Sequence, residues 1–209
     1  MKVKKLILGF FSVNCYILQF NSDECIIIDP GADYEAIRDY LESNKLSPLF
    51  ILNTHGHYDH IGAVKNVMGD YNIPFYIHKI EEDIVRKPDH NMSSAFGGGS
   101  LSLDNYRLIT EENFKEGKRL GLEVKRMPGH TPGSIVIRYK NLLFTGDLLF
   151  KNAIGRTDLP GGSAKEIKES LINLSKMDKN LLIYPGHGED TSLEFEMENN
   201  YYLSKKFLG

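Results

Sequence analysis

Short apolar runs rich in β-branched residues recur along the chain, each closed by turn-forming residues: Val3–Leu8, Val13–Phe20, Cys25–Ile28, Leu49–Leu52, Phe75–His78, Tyr106–Ile109, Leu122–Arg126, Ser134–Tyr139, Leu142–Thr145 and Leu181–Tyr184. Runs of this length bounded by glycine, proline and asparagine read as strands. Between them lie stretches with helical spacing. Tyr34–Ser43 puts Ile37, Tyr40 and Leu41 on one face, and Ala164–Met177 does so with Ile167, Leu171 and Leu174. The two halves share this outline without a sequence repeat. The order predicts an α/β protein, a four-layer αβ/βα sandwich in which two sheets pack face to face with helices outside, as a single domain over 1–209. Lys87–Ser102, with its run Gly97-Gly98-Gly99, lacks periodicity and reads as a surface loop or lid, or as a tolerated insertion.

The strongest local signal is His55-Gly56-His57-Tyr58-Asp59-His60, placed where the strand Phe50-Ile51-Leu52 gives way to a helix expected over Ile61–Val67. His55 and His57 are two apart, so an extended segment projects both to one side. One histidine is an ordinary polar residue and one aspartate an ordinary helix cap. With only seven histidines in the chain, the whole pattern arises by chance in fewer than roughly one such sequence in a thousand. Clustered imidazoles with a carboxylate suit zinc or another borderline divalent ion. Three further apolar runs lead into similar turns: Pro128-Gly129-His130-Thr131-Pro132-Gly133, Gly146-Asp147, and Pro185-Gly186-His187-Gly188. Glycine and proline permit tight turns that aim a side chain at a fixed point. His78 and His90 belong to no such motif and read as a strand-end and a loop residue.

These segments resemble the ordered ligand motifs of the metallo-β-lactamase superfamily, over nearly the whole chain from Asn14-Cys15-Tyr16 through His187. The resemblance implies the αβ/βα fold of that family and a binuclear centre. His55, His57 and His130 would bind one metal, Asp59, His60 and His187 a second, and Asp147 would bridge them. Two divalent ions, zinc first and iron or manganese as alternatives, would acidify a shared water and polarise the carbonyl that it attacks. Asp29, in Ile28-Asp29-Pro30-Gly31, matches the family aspartate behind the ligands and would orient a ligand histidine. Asp59 is also the candidate catalytic residue, assisting proton transfer.

The segment Gly155-Arg156-Thr157-Asp158-Leu159-Pro160-Gly161-Gly162 resembles the short single-domain relatives of glyoxalase II, the hydroxyacylglutathione hydrolases, and also the persulfide dioxygenases. Arg156 would bind a substrate carboxylate in a planar fork, or the segment is a glycine-rich loop before a helix capped by Ser163. Glyoxalase II proper adds a helical C-terminal domain. Here about 22 residues follow His187, room for one terminal helix over Glu194–Phe207. The resemblance therefore implies hydrolysis of a small acyl thioester, with the thiol open. A mononuclear-iron persulfide dioxygenase and a non-catalytic metal-binding sensor or scaffold are the other readings.

Composition narrows the partners. Formal charge is −3 without a basic block, which argues against nucleic acid, and the partner that the resemblance implies is a small-molecule thioester substrate. The opening MKVKKLILGFF superficially resembles a signal peptide, but its apolar run is short and lacks a cleavage pattern, so a first strand is expected. No stretch is apolar enough for a membrane span. Cys15 and Cys25 would not face each other across a hairpin turning near Ser22, and read as small buried residues of a reduced compartment. The expectation is a soluble, cytoplasmic protein.

Overall fold

The structure is a computed structural model that describes residues 2–96 and 99–209; Gly97 and Gly98 of the glycine run lie outside the described residues. The chain divides into two compact units, Met1–Ile109 and Thr110–Gly209, each with its own main sheet.

The first unit holds β1 (Lys2–Leu8), β2 (Val13–Gln19), β3 (Glu24–Ile28), α1 (Tyr34–Ser43), β4 (Ser47–Leu52), α2 (Tyr58–Ile61), α3 (Val64–Tyr71), β5 (Phe75–His78), α4 (Glu82–Arg86) and β6 (Arg107–Ile109). Its six strands lie in sequence order. β1 to β3 form an antiparallel meander, and β3 to β6 run parallel. Parallel neighbours need crossover connections, which α1, the pair α2–α3 and α4 supply. β2 and β3 are buried along almost their whole length, the pattern of strands covered on both faces. Cys15, Ile17, Cys25, Ile27, Ile51 and Phe75 join Ile37 and Leu41 of α1 and Val64 and Val67 of α3 in one core. Gln19 pairs with Cys25, and Tyr16 with Ile28, so the two cysteines are not partners; both are free and buried. Burial raises the Cys25 thiol to about 12.

The second unit holds α5 (Lys115–Arg119), β7 (Leu122–Arg126), β8 (Ile135–Tyr139), β9 (Leu142–Gly146), β10 (Leu149–Phe150), β11 (Ala153–Ile154), α6 (Ala164–Leu174), β12 (Leu182–Pro185), β13 (Thr191–Ser192), α7 (Leu193–Asn199) and α8 (Lys205–Leu208). Its sheet has the order β13-β12-β9-β8-β7, and β10 and β11 form a separate ribbon. β9 runs parallel to β12 and antiparallel to β8, which is antiparallel to β7. The carboxyl ends of β7, β9 and β12 therefore share one edge. Ile167, Leu171 and Leu174 of α6 pack with Val136, Leu143 and Ile183. Ser163 caps this helix, accepting from the Glu166 amide at 3.2 Å.

Three sequence expectations change. The helix expected over Ile61–Val67 is two, α2 and α3, so Asp59 and His60 lie within a short helix rather than before one. The helix over Ala164–Met177 stops at Leu174. The terminal helix over Glu194–Phe207 is cut into α7, a single 3-10 turn and α8. Asn200 and Ser204 cause the cuts, since their side chains accept from the Tyr202 and Phe207 amides and restart the chain there. The segment Lys87–Ser102 contains no helix or strand among the described residues. It is pinned at its base by buried Asn91, which donates to Leu101 and accepts from the Ser93 amide. Among the described residues no helix is long and apolar enough to cross a membrane.

Candidate metal centre

In the first unit, β3 and β4 are parallel neighbours with Ile28 opposite Leu52. Asp29 and the histidine loop thus leave the sheet side by side. The Asp29 backbone enters the left-handed region (φ 52°), which turns the following chain back toward α2. Gly31 lies so close to α2 that a Cβ there would stand 1.5 Å from the Asp59 carbonyl oxygen, so only glycine fits.

The Asp29 carboxylate is buried and receives three donors. The Thr54 amide reaches Oδ1 at 2.8 Å, the Thr54 hydroxyl reaches Oδ2 at 2.6 Å, and His60 Nδ1 lies 3.0 Å from Oδ2. Against a carboxylate, His60 Nδ1 must carry the proton. The Thr54 hydroxyl has one hydrogen and spends it on Asp29. Its 3.2 Å contact with His55 Nδ1 is therefore a bond that the imidazole donates. Both rings consequently carry their lone pair on Nε2, the form a metal ligand requires. Asn53 adds a backbone anchor, donating from Nδ2 to the His60 carbonyl at 2.7 Å. Tyr58 enters α2 with its amide bonded to the Asn91 carbonyl at 2.7 Å.

These supports bring the imidazoles together. The His55 ring lies 4.1 Å from that of His60 and 4.9 Å from that of His57, centroid to centroid, and all three residues are buried. Asp59 projects from the first turn of α2, with Oδ2 3.8 Å from His60 Nε2 and its side chain partly exposed. It does not cap the helix, whose N-cap is His57.

The second unit assembles a smaller set on its shared strand edge. His130 follows β7, Asp147 follows β9 and His187 follows β12; the Gly186 amide donates to the Gly146 carbonyl at 2.8 Å, tying the last two together. Asp147 Oδ2 stands 3.4 Å from His130 Nε2 and 3.7 Å from His187 Nε2. His130 Nδ1 donates to the Arg156 carbonyl at 2.8 Å, so this ring too carries its lone pair on Nε2.

The residues after Asp147 thus act mainly through backbone. Gly155 rests on the Asp147 peptide, where a Cβ would stand 1.8 Å from the carbonyl oxygen. The Arg156 guanidinium, placed by sequence reading on a substrate carboxylate, is exposed and grips Asp158 in a fork of two 2.7 Å bonds. That grip holds the Asp158 carboxyl down at about 2. Sequence reasoning missed Thr54, Asn53, Asn91 and the Arg156 carbonyl, because none has a side chain that signals metal chemistry. It also missed Glu81, 25 residues from the amide that it binds.

Each unit therefore sets imidazole nitrogens beside a carboxylate, a donor set that suits a divalent metal ion. Residues 8–187 match the family model described as the metallo-beta-lactamase superfamily. The chain is 33% identical over 208 residues to the probable metallo-hydrolase YqgX of Bacillus subtilis, covering 98% of each. It is 29% identical to the hydroxyacylglutathione hydrolase GloC of Haemophilus influenzae, covering 99% of this chain and 100% of that one. Among solved structures, the BLEG-1 B3 metallo-beta-lactamase superposes with a TM-score of 0.89 at 35% identity, over 97% of this chain and 100% of that chain. TTHA1623 in a di-iron-bound form gives 0.85 at 30% identity, over 96% and 100%.

Proposed function

The chain belongs to the metallo-beta-lactamase superfamily and has its fold, and from that premise we propose that it hydrolyses a small acyl thioester at a binuclear metal centre. In this reading His55, His57 and His130 hold one ion, Asp59, His60 and His187 the other, and Asp147 bridges. The observation that supports it is the pinning of His55, His60 and His130 through Nδ1, which leaves Nε2 as the nitrogen with the lone pair in all three rings. Zinc is the first candidate, with iron and manganese beside it. When bound, the ions supply an acidified water and polarisation of the scissile carbonyl.

The protein's own groups do the rest. The Asp59 carboxylate, partly exposed on α2, takes up the proton that the attacking water gives up. A cavity of about 240 Å³ beside Asp59, walled by Leu8, Phe10, Phe11, Val13, Tyr58 and Phe96, receives the apolar part of the substrate and keeps bulk water from it. Phe11 and Phe96 meet edge to face at 5.4 Å in that wall. The thioester is supported by the likeness to a relative named as a hydroxyacylglutathione hydrolase. No side-chain nucleophile is needed.

The test is thiol release from lactoylglutathione and other small thioesters by protein loaded separately with zinc, iron or manganese. At least one loaded form is expected to release thiol well above background, and failure of every form on every thioester overturns the proposal. Ring opening of a β-lactam is followed in parallel, since one of the similar structures bears that name. A second reading, persulfide dioxygenation, is favoured by Gly155-Arg156-Thr157-Asp158. One iron per chain with brisk oxygen uptake on glutathione persulfide would establish it instead.

A further inference from the structure

Glu81 closes the short 3-10 turn Lys79–Glu81 after β5 and is completely buried. Withdrawing a carboxylate from water is costly unless hydrogen bonds or charges compensate. Its own helix does not use it: Glu81 is the N-cap residue of α4 yet makes no side-chain cap bond there. Its Oε2 instead accepts the Gly56 amide at 2.8 Å. Gly56 is the single residue between His55 and His57. Asp29 and Thr54 act on the rings of His60 and His55, whereas Glu81 acts on the peptide that joins two of the histidines.

We infer that Glu81 is a positioning residue for the metal centre, clamping the Gly56 amide so that the His55 and His57 imidazoles keep their edge-to-face placement at 4.9 Å. The inference rests on the reading of those histidines as ligands. Its chemical content is the position of one acceptor oxygen rather than the charge, and two conservative substitutions separate these. Glu81→Gln keeps an acceptor oxygen at the same reach without the charge. Glu81→Asp keeps the charge but is one methylene too short to reach the amide.

Zinc affinity of the purified full chain, measured by competition with a chromophoric chelator, reads the difference without any substrate. Glu81→Gln is expected to bind zinc within about threefold of the unsubstituted protein, the acceptor being retained. Glu81→Asp is expected to bind about 10- to 100-fold more weakly, the usual loss when a group orienting a ligand is removed. Thermal unfolding of the metal-free forms accompanies it. Equal zinc affinity in all three proteins overturns the inference, and so does weakening by Gln with retention by Asp, which would assign the effect to charge. A fall in zinc affinity that merely follows an equal loss of metal-free stability in both variants overturns it too, as a structural role. If the unsubstituted chain binds no zinc, iron or manganese, it is the ligand assignment that fails.

Discussion

At Arg156 the backbone and the side chain face different partners. The carbonyl accepts from His130, while the guanidinium is exposed and holds Asp158. Arg156→Ala is therefore expected to leave zinc content unchanged, because the carbonyl survives the substitution; metal analysis of the purified variant checks this. The same change should free Asp158. Its carboxyl is depressed to about 2 from the ordinary 3.8 by the guanidinium bonds. A depressed folded value means that the pair contributes above the ordinary carboxylate range and is lost as pH falls from about 4 through about 2. Carboxyl NMR titration should show Asp158 return toward the ordinary value in the variant, and an unmoved midpoint would refute the pairing. The ligand candidates were legible in the sequence, since histidine is scarce and its spacing beside turn residues carries chemistry. Their supports were not. Thr54 works through an ordinary hydroxyl, Arg156 through a carbonyl that every residue possesses, and Glu81 through a contact that only the fold creates.

Among elements, the C-terminal region shows how a short tail is held. Glu196 of α7 is buried and accepts from the Asn152 amide, Thr191 Oγ1 and Asn200 Nδ2 at 2.7 to 2.8 Å. Asn200 also donates to the Phe150 and Ala153 carbonyls, so α7 and the residue after it brace both strands of the β10–β11 ribbon that follows Asp147. Glu196→Ala removes a buried carboxylate that takes three hydrogen bonds, one of them from buried Asn200, and should lower unfolding free energy by about 2–4 kcal/mol. Urea denaturation measures this, and a change below about 0.5 kcal/mol, the scale of an ordinary surface substitution, would show the network to be dispensable. Strands and the amphipathic helices α1 and α6 were readable because apolar periodicity sets them. The breaks at Gly62–Ala63, Asn200 and Ser204 were not, since they come from local capping and from a close backbone approach that apolar spacing does not record.

For the molecule as a whole, the buried histidines couple metal binding to folding. An ion that binds only the folded chain stabilises it by about 4 kcal/mol at a thousandfold excess over its dissociation constant. Thermal unfolding of zinc-loaded protein should therefore lie several degrees above that of chelator-treated protein, and coincident curves would argue against a built centre. The contact of Gly31 with the Asp59 peptide has a different consequence, for engineering. The turn Asp29-Pro30-Gly31 and the histidine loop are two pieces of one socket: one supplies the carboxylate that sets two ring tautomers, and its glycine leaves room for the backbone of the other. Transplanting HGHYDH alone onto the end of a foreign parallel strand would import the donors without their cradle. A graft that carries both β3 and β4 with their exits moves the donors together with the carboxylate and the glycine that shape them.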